Sequence, residues 1–155
     1  SSSRLENQIK TIIGAIVIKH YHLRMNGHIL EATFYDHWDA DIFESFISEV
    51  KVSLIRLRGQ EWGSMTDLRQ WEGGNHEFRF AAKAELNRLV AAGSSHAAYI
   101  IQDNSPYLEL INDVAPTLSG YKRRLFTNKA DAVKWLEESG FKLSLVSKEY
   151  DEQKK

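Results

Sequence analysis

Short strand-like runs alternate with apolar stripes of helical period along most of this chain, and three of the stripes end on a stop of their own at Gly93, Pro116 or Gly140. That alternation excludes an all-helical or all-strand domain and specifies strands joined by helical crossovers, an α/β fold. Ile42, Phe43, Phe46, Ile47, Val50 and Leu54 mark the first such helix, with Asp39 or Asp41 at its amino end to suit the dipole. Trp62 to Leu68 reads as a middle strand, and Asn75 or Gly74 caps a helix from about His76 to Ala92 that Gly93 closes. Tyr99 to Gln102 is a further strand. Ser105-Pro106 opens a helix with Leu108, Ile111 and Ala115 that must end by Pro116. After a last strand, Arg123 to Thr127, Asn128 and Asp131 resemble a capping box for a helix whose buried stripe is Ala132, Val133, Trp135 and Leu136.

The alternation is preceded by "HYHLRMNGHILEATFY", where Asn26-Gly27 between strand-like residues signals a β-hairpin beginning near Ile16. A turn at those two residues sets Met25 opposite His28, Leu23 opposite Leu30 and Tyr21 opposite Ala32. Tyr21, Leu23, Met25, Leu30, Ala32 and Phe34 then face the core. His20, His22, Arg24, Glu31 and Thr33 share the other face, with His22 across from Glu31, toward solvent or a second copy in a homodimer. The expected whole is a mixed sheet of about five strands with about four helices. One domain spans residues 16–141. Residues 1–15 form an N-terminal segment in which Leu5, Ile9 and Ile12 suggest a short amphipathic helix, and residues 142–155 form a tail.

Lys and Arg number 20 against 21 Asp and Glu, a net charge of -1, so no global basic field favours nucleic acid or an anionic membrane surface. The absence of cysteine removes disulfides, thiolate nucleophiles and cysteine metal sites, and suits a reducing cytoplasm. Ile12 to Ile18, the longest apolar run, is far shorter than the roughly 20 residues that span a bilayer, so neither a transmembrane segment nor a signal peptide is expected.

Chemistry is sparser. "MTDLRQWEGGNHEF" runs from the middle strand into a helix start, where Asp67, Arg69, Trp71, Asn75, His76 and Glu77 would gather beside free backbone N–H groups, with Trp38 on the same rim. Arg69, Trp71, Asn75, His76 and Trp38 are therefore candidate residues for a small acidic or aromatic ligand. The structural alternative makes the glycine pair a turn, Asn75 a cap and Trp71 a lid on the core edge. His20, His22 and Glu31 form an alternative candidate metal site of the imidazole and carboxylate kind. Ser94, Ser95 and His96 lie side by side in what reads as a short loop, which does not make a triad, and no nucleophile elbow, P-loop or dinucleotide fingerprint occurs. Lys122-Arg123-Arg124 reads as a solvated strand edge.

The element order, "WGSMTDLRQW" at the third strand and the closing "RLFTNKADAVKWLEESGF" together resemble the STAS-like, or SpoIIAA-like, domains related to anti-sigma-factor antagonists, in particular a stand-alone bacterial branch of unknown role. The resemblance covers roughly residues 16–141. It implies a fold rather than an activity. The family's phosphorylated Ser or Thr belongs at the start of the helix after the third strand, and from Leu68 to Phe80 this chain has neither. The expectation is a non-enzymatic binding or regulatory module without that switch, needing no cofactor and acting on a small ligand or a partner protein. A small metal-dependent protein using His20, His22 and Glu31 is the alternative.

Overall fold

The computed structural model describes residues 3–8 and 20–144. Residues 3–8 are helical, with Leu5 exposed. Ile9, Ile12, the strand start at Ile16 and the tail from residue 145 lie outside the described residues.

The strands are β1 (Tyr21–Asn26), β2 (Ile29–Trp38), β3 (Trp62–Gly74), β4 (Ser94–Ile100) and β5 (Lys122–Phe126). They stand in the sheet in chain order. β1 and β2 are antiparallel and every later neighbour is parallel, so the sheet is mixed as expected. Helix α1 (Ala40–Ser53) joins β2 to β3, α2 (His76–Ala91) joins β3 to β4, and α3 (Leu108–Val114) joins β4 to β5. Helix α4 (Lys129–Glu138) follows β5. Crossovers of one hand between successive neighbours bring the three connecting helices, α1 to α3, to one face. Accordingly Phe43, Phe46 and Val50 of α1, Phe78 and Ala82 of α2, and Ile111 of α3 share a core with Leu30, Phe34 and Leu68 of the sheet. Helix α4 covers the other face through Ala132, Val133 and Leu136 against Ile29, Met65, Ala98 and Ile100.

Side-chain caps set the helix starts: Asp39 Oδ1 accepts from Ile42 N at 2.9 Å, Asn75 Oδ1 from Phe78 N at 2.9 Å, and Asn128 Oδ1 from Asp131 N at 2.8 Å. Ala115 is extended ahead of Pro116, which ends α3 where the sequence requires.

Several expectations are corrected. Asn26 pairs with Ile29, so the turn is Gly27-His28 rather than Asn26-Gly27, with Gly27 at φ 61°. Asn26 is drawn into the ladder because its buried side chain accepts from Ser144 N at 2.9 Å. The slip moves each pairing by two residues, which keeps the same residues on each face but places His22 opposite Thr33 and Arg24 opposite Glu31, and Glu31 is buried under α4 rather than turned to solvent. β3 runs to Gly74 instead of stopping at Leu68, continuing beside β2 through two register shifts. β4 begins at Ser94 rather than Tyr99, because Gly93 at φ 117° turns the chain straight out of α2 without a loop. Trp135 is half-buried rather than enclosed, lying 5.8 Å from the Phe126 ring and 5.5 Å from that of His96.

Candidate functional site

Along the helix-covered face of β3, the inward positions read Trp62, Ser64, Thr66 and Leu68. Two short hydroxyl side chains thus stand at the centre of the sheet where large apolar groups would fill the space, and Ala82 on α2 is short as well. α3, at 7 residues, completes the roof. The result is a cavity of about 80 Å³ between sheet and helices, walled by Phe34, Phe43, Phe46, Trp71, Phe78 and Ile111 among others. No charged side chain lines it. Its half-buried lining residues Leu86, Leu89, Val90, Tyr99 and Tyr121 place the way out between the last turns of α2 and the segment after α3. Tyr99 and Tyr121 are hydrogen-bonded to each other there, and burial pushes both phenols up, so they remain neutral donors and acceptors.

α3 is fixed over the cavity by Arg79 of α2, whose guanidinium donates to both Glu109 oxygens at 3.0 Å and to Asp113 at 2.8 Å, while Lys83 reaches Asp113 at 3.1 Å. Arg79 holds both carboxyls below their usual range. These groups are solvent-accessible, so the network sets the position of α3 more than it stabilises the chain.

The residues expected to form a rim at the strand-to-helix junction are divided by the extension of β3. Trp71 is 5% exposed and Trp38 fully buried, both inside the aromatic core. Trp38 stacks on Phe34 at 3.9 Å, and Trp71 lies 5.6 Å from Phe78 and from Tyr107. Trp71 lines the cavity, whereas Trp38 packs behind Phe34. Arg69 is held in a two-pronged pair with Asp67, at 3.0 Å and 2.7 Å, and its carbonyl accepts from Gln102. Asn75 spends its side-chain oxygen on the helix cap, and His76 is exposed beside it. Of the structural reading, the Asn75 cap and a positive φ at Gly73, 81°, match this geometry, but the glycine pair is the end of β3 rather than a turn, and Trp71 is core rather than lid. Thr66, the nearest hydroxyl upstream of the junction, is buried.

The hairpin histidines do not converge with Glu31. Glu31, 7% exposed under α4, is paired with Arg24 at 3.0 Å and Lys129 at 3.7 Å, while His20 faces Asp36 at 3.5 Å. Among the described residues no group of three His, Cys, Asp or Glu side chains is arranged to hold a metal ion. Ser95 Oγ meets His96 Nδ1 at 2.8 Å, but Glu61 approaches the same ring nitrogen at 3.8 Å, so no relay through the imidazole is formed.

His96 packs against the Trp135 and Phe141 rings. Desolvation there lowers its pKa from 6.5, with Lys122 acting in the same sense and Glu61 against it. The folded chain therefore binds this proton less readily than the unfolded one. The stability this gives is complete above the unfolded pKa and is lost as pH falls through the folded one. Urea midpoints measured from about pH 8 to about pH 5 should fall, and His96→Gln should flatten that decline.

The hydroxyls at Ser64, Thr66, Ser94, Tyr99 and Tyr121 escaped the sequence reading. The available signal was Ser64 and Thr66, spaced by two on the inward face of a central strand.

No protein-family model matches the sequence, and no curated protein does. Solved structures do match. An uncharacterized DUF3478-family protein with a SpoIIAA-like fold from Shewanella loihica PV-4 is 15% identical, with a TM-score of 0.57 over 75% of this chain and 91% of that one. The anti-sigma factor antagonist SpoIIAA in its unphosphorylated form is 10% identical, with a TM-score of 0.49 over 78% of this chain and 99% of that one. At such identities the likeness concerns the fold alone. None of the described helices is long and apolar enough to cross a membrane. The hairpin, the mixed sheet in chain order and the match to the Shewanella protein together give this chain a SpoIIAA-like α/β fold.

Proposed function

We propose that the chain is a non-enzymatic binding module whose ligand is a small, mainly apolar, uncharged molecule held between the sheet and helices α1 to α3. The observation that carries this reading is the cavity of about 80 Å³ with an uncharged lining. Protein interiors are close-packed, and a void of that size left unfilled costs about 2 kcal/mol. A ring-sized or short-chain molecule would recover those contacts, and the hydroxyls along the floor would orient it. An acidic ligand is disfavoured, since a carboxylate would be desolvated there without a counter-charge. Of the junction residues, Trp71 contributes to this site; Arg69, Asn75 and Trp38 serve the surrounding structure, and His76 is exposed outside it.

Titration of the labelled protein with toluene, followed by NMR, tests the reading. Resonances of Thr66, Ala82 and Ile111 should move in saturable fashion. Ala82→Leu, which fills the cavity from α2, should abolish the shifts, and His76→Ala should leave them intact. Shifts confined to residues 69–78 would instead favour the junction, and shifts confined to His20, His22 and Glu31 would favour the hairpin face.

A further inference from the structure

Three of the tryptophans are buried in the interior, and their indole N–H groups differ. Trp38 Nε1 donates to the Tyr35 carbonyl at 3.0 Å, and Trp62 Nε1 donates to the Ala92 carbonyl at 3.3 Å. Trp71 Nε1 is buried and has no acceptor among the described residues. An indole nitrogen only donates, and a ring wedged among Phe34, Phe78 and Tyr107 cannot turn its N–H toward water. Native interiors seldom leave such a donor unmatched. This one belongs to a residue that walls the cavity.

We propose that the cavity's ligand carries an uncharged oxygen acceptor, of the ketone, ester or ether kind, which receives the hydrogen bond of Trp71 Nε1. This ligand chemistry rests on the cavity being the binding site. A charged acceptor is excluded by the same lining that excludes an acidic ligand, because Arg69, the cation nearest in sequence, is committed to Asp67. Trp71 is then the residue that selects oxygenated molecules over hydrocarbons of equal size. A hydrocarbon would leave the N–H unmatched in the complex, whereas a carbonyl would match it.

Cyclohexanone and methylcyclohexane, which have the same number of heavy atoms, separate the alternatives. In the 15N-labelled protein cyclohexanone should move the Trp71 indole crosspeak downfield, with that peak assigned by its loss in Trp71→Phe. The crosspeaks of Trp38 and Trp62, already hydrogen-bonded, should stay. Trp71→Phe should weaken cyclohexanone binding by about tenfold relative to methylcyclohexane. Binding of both probes with an unmoved Trp71 crosspeak and an unchanged affinity ratio in Trp71→Phe would overturn the selection by Trp71 while leaving the cavity as the site. Binding of neither probe to the wild-type chain would overturn both. Should Trp71→Phe fail to fold, the wild-type crosspeaks decide the matter, with that of Trp71 assigned by its nuclear Overhauser contacts to the neighbouring Tyr107 ring.

Discussion

Trp38→Ala should lower the unfolding free energy by about 3 to 5 kcal/mol, the range for truncating a large buried aromatic. Its ring is fully buried, stacked on Phe34 at 3.9 Å, with Tyr21, Phe46 and Phe78 around it at 5.6 to 6.1 Å. Removing it opens a void among rings that are themselves pinned, so little of the space can be recovered by relaxation. It also strands the Tyr35 carbonyl that the indole held. Trp71→Ala should fall in the same range. Trp135→Ala, although it removes the same number of atoms, should cost only about 1 to 2 kcal/mol because half-exposed surface is lost rather than core. Denaturant unfolding of the three variants ranks them, and a loss at Trp135 equal to that at Trp38 would contradict the placement of α4.

Gly93→Ala should lower the unfolding free energy by about 2 to 4 kcal/mol. At φ 117° the backbone there is open to glycine and strained for any other residue, and an added Cβ would stand 2.6 Å from the Gln60 carbonyl oxygen. That neighbour is main chain and cannot swing aside. The Gly93 carbonyl also accepts from Trp62 N at 3.0 Å, so displacement would pull on the start of β3. Gly140→Ala provides the control: its φ is 103°, but nothing lies within 4 Å of the added carbon. Its loss should be the smaller by the whole of the steric part, as measured by thermal or urea unfolding.

The architecture was legible in the sequence where local signals agree with the fold. Asp39, Asn75 and Asn128 cap the helices they were expected to begin or precede. The hairpin's inward residues were legible even though its turn was not, since a two-residue slip preserves the alternation of faces. What moved the turn is the hydrogen bond that the Asn26 side chain accepts from Ser144 N, 118 residues away, which no local preference contains. The position of Trp71 was hidden by a bulge. Strict alternation from Leu68 would bring Gln70 inward, but the shift between the Thr33↔Asp67 and Tyr35↔Gln70 pairings turns Gln70 out and Trp71 in. A residue that looked like a rim became a wall. The cavity was legible only in its floor, at Ser64 and Thr66, because its other sides come from helices whose distance from the sheet the sequence does not state.

A sheet whose strands stand in chain order has a consequence for how the molecule is made. Each strand pairs only with the ones just before and after it, so no strand must wait for a later one to slot between two already formed. The chain can lengthen its sheet from one side as it leaves the ribosome, closing one crossover at a time, and each closure carries the modest entropy of a single intervening helix. Of the described elements α4 arrives last, on the opposite face. Until it does, Ile29, Met65, Ala98 and Ile100 form an open apolar surface, so a nascent chain halted after β5 would have its pairings in place and still be adhesive.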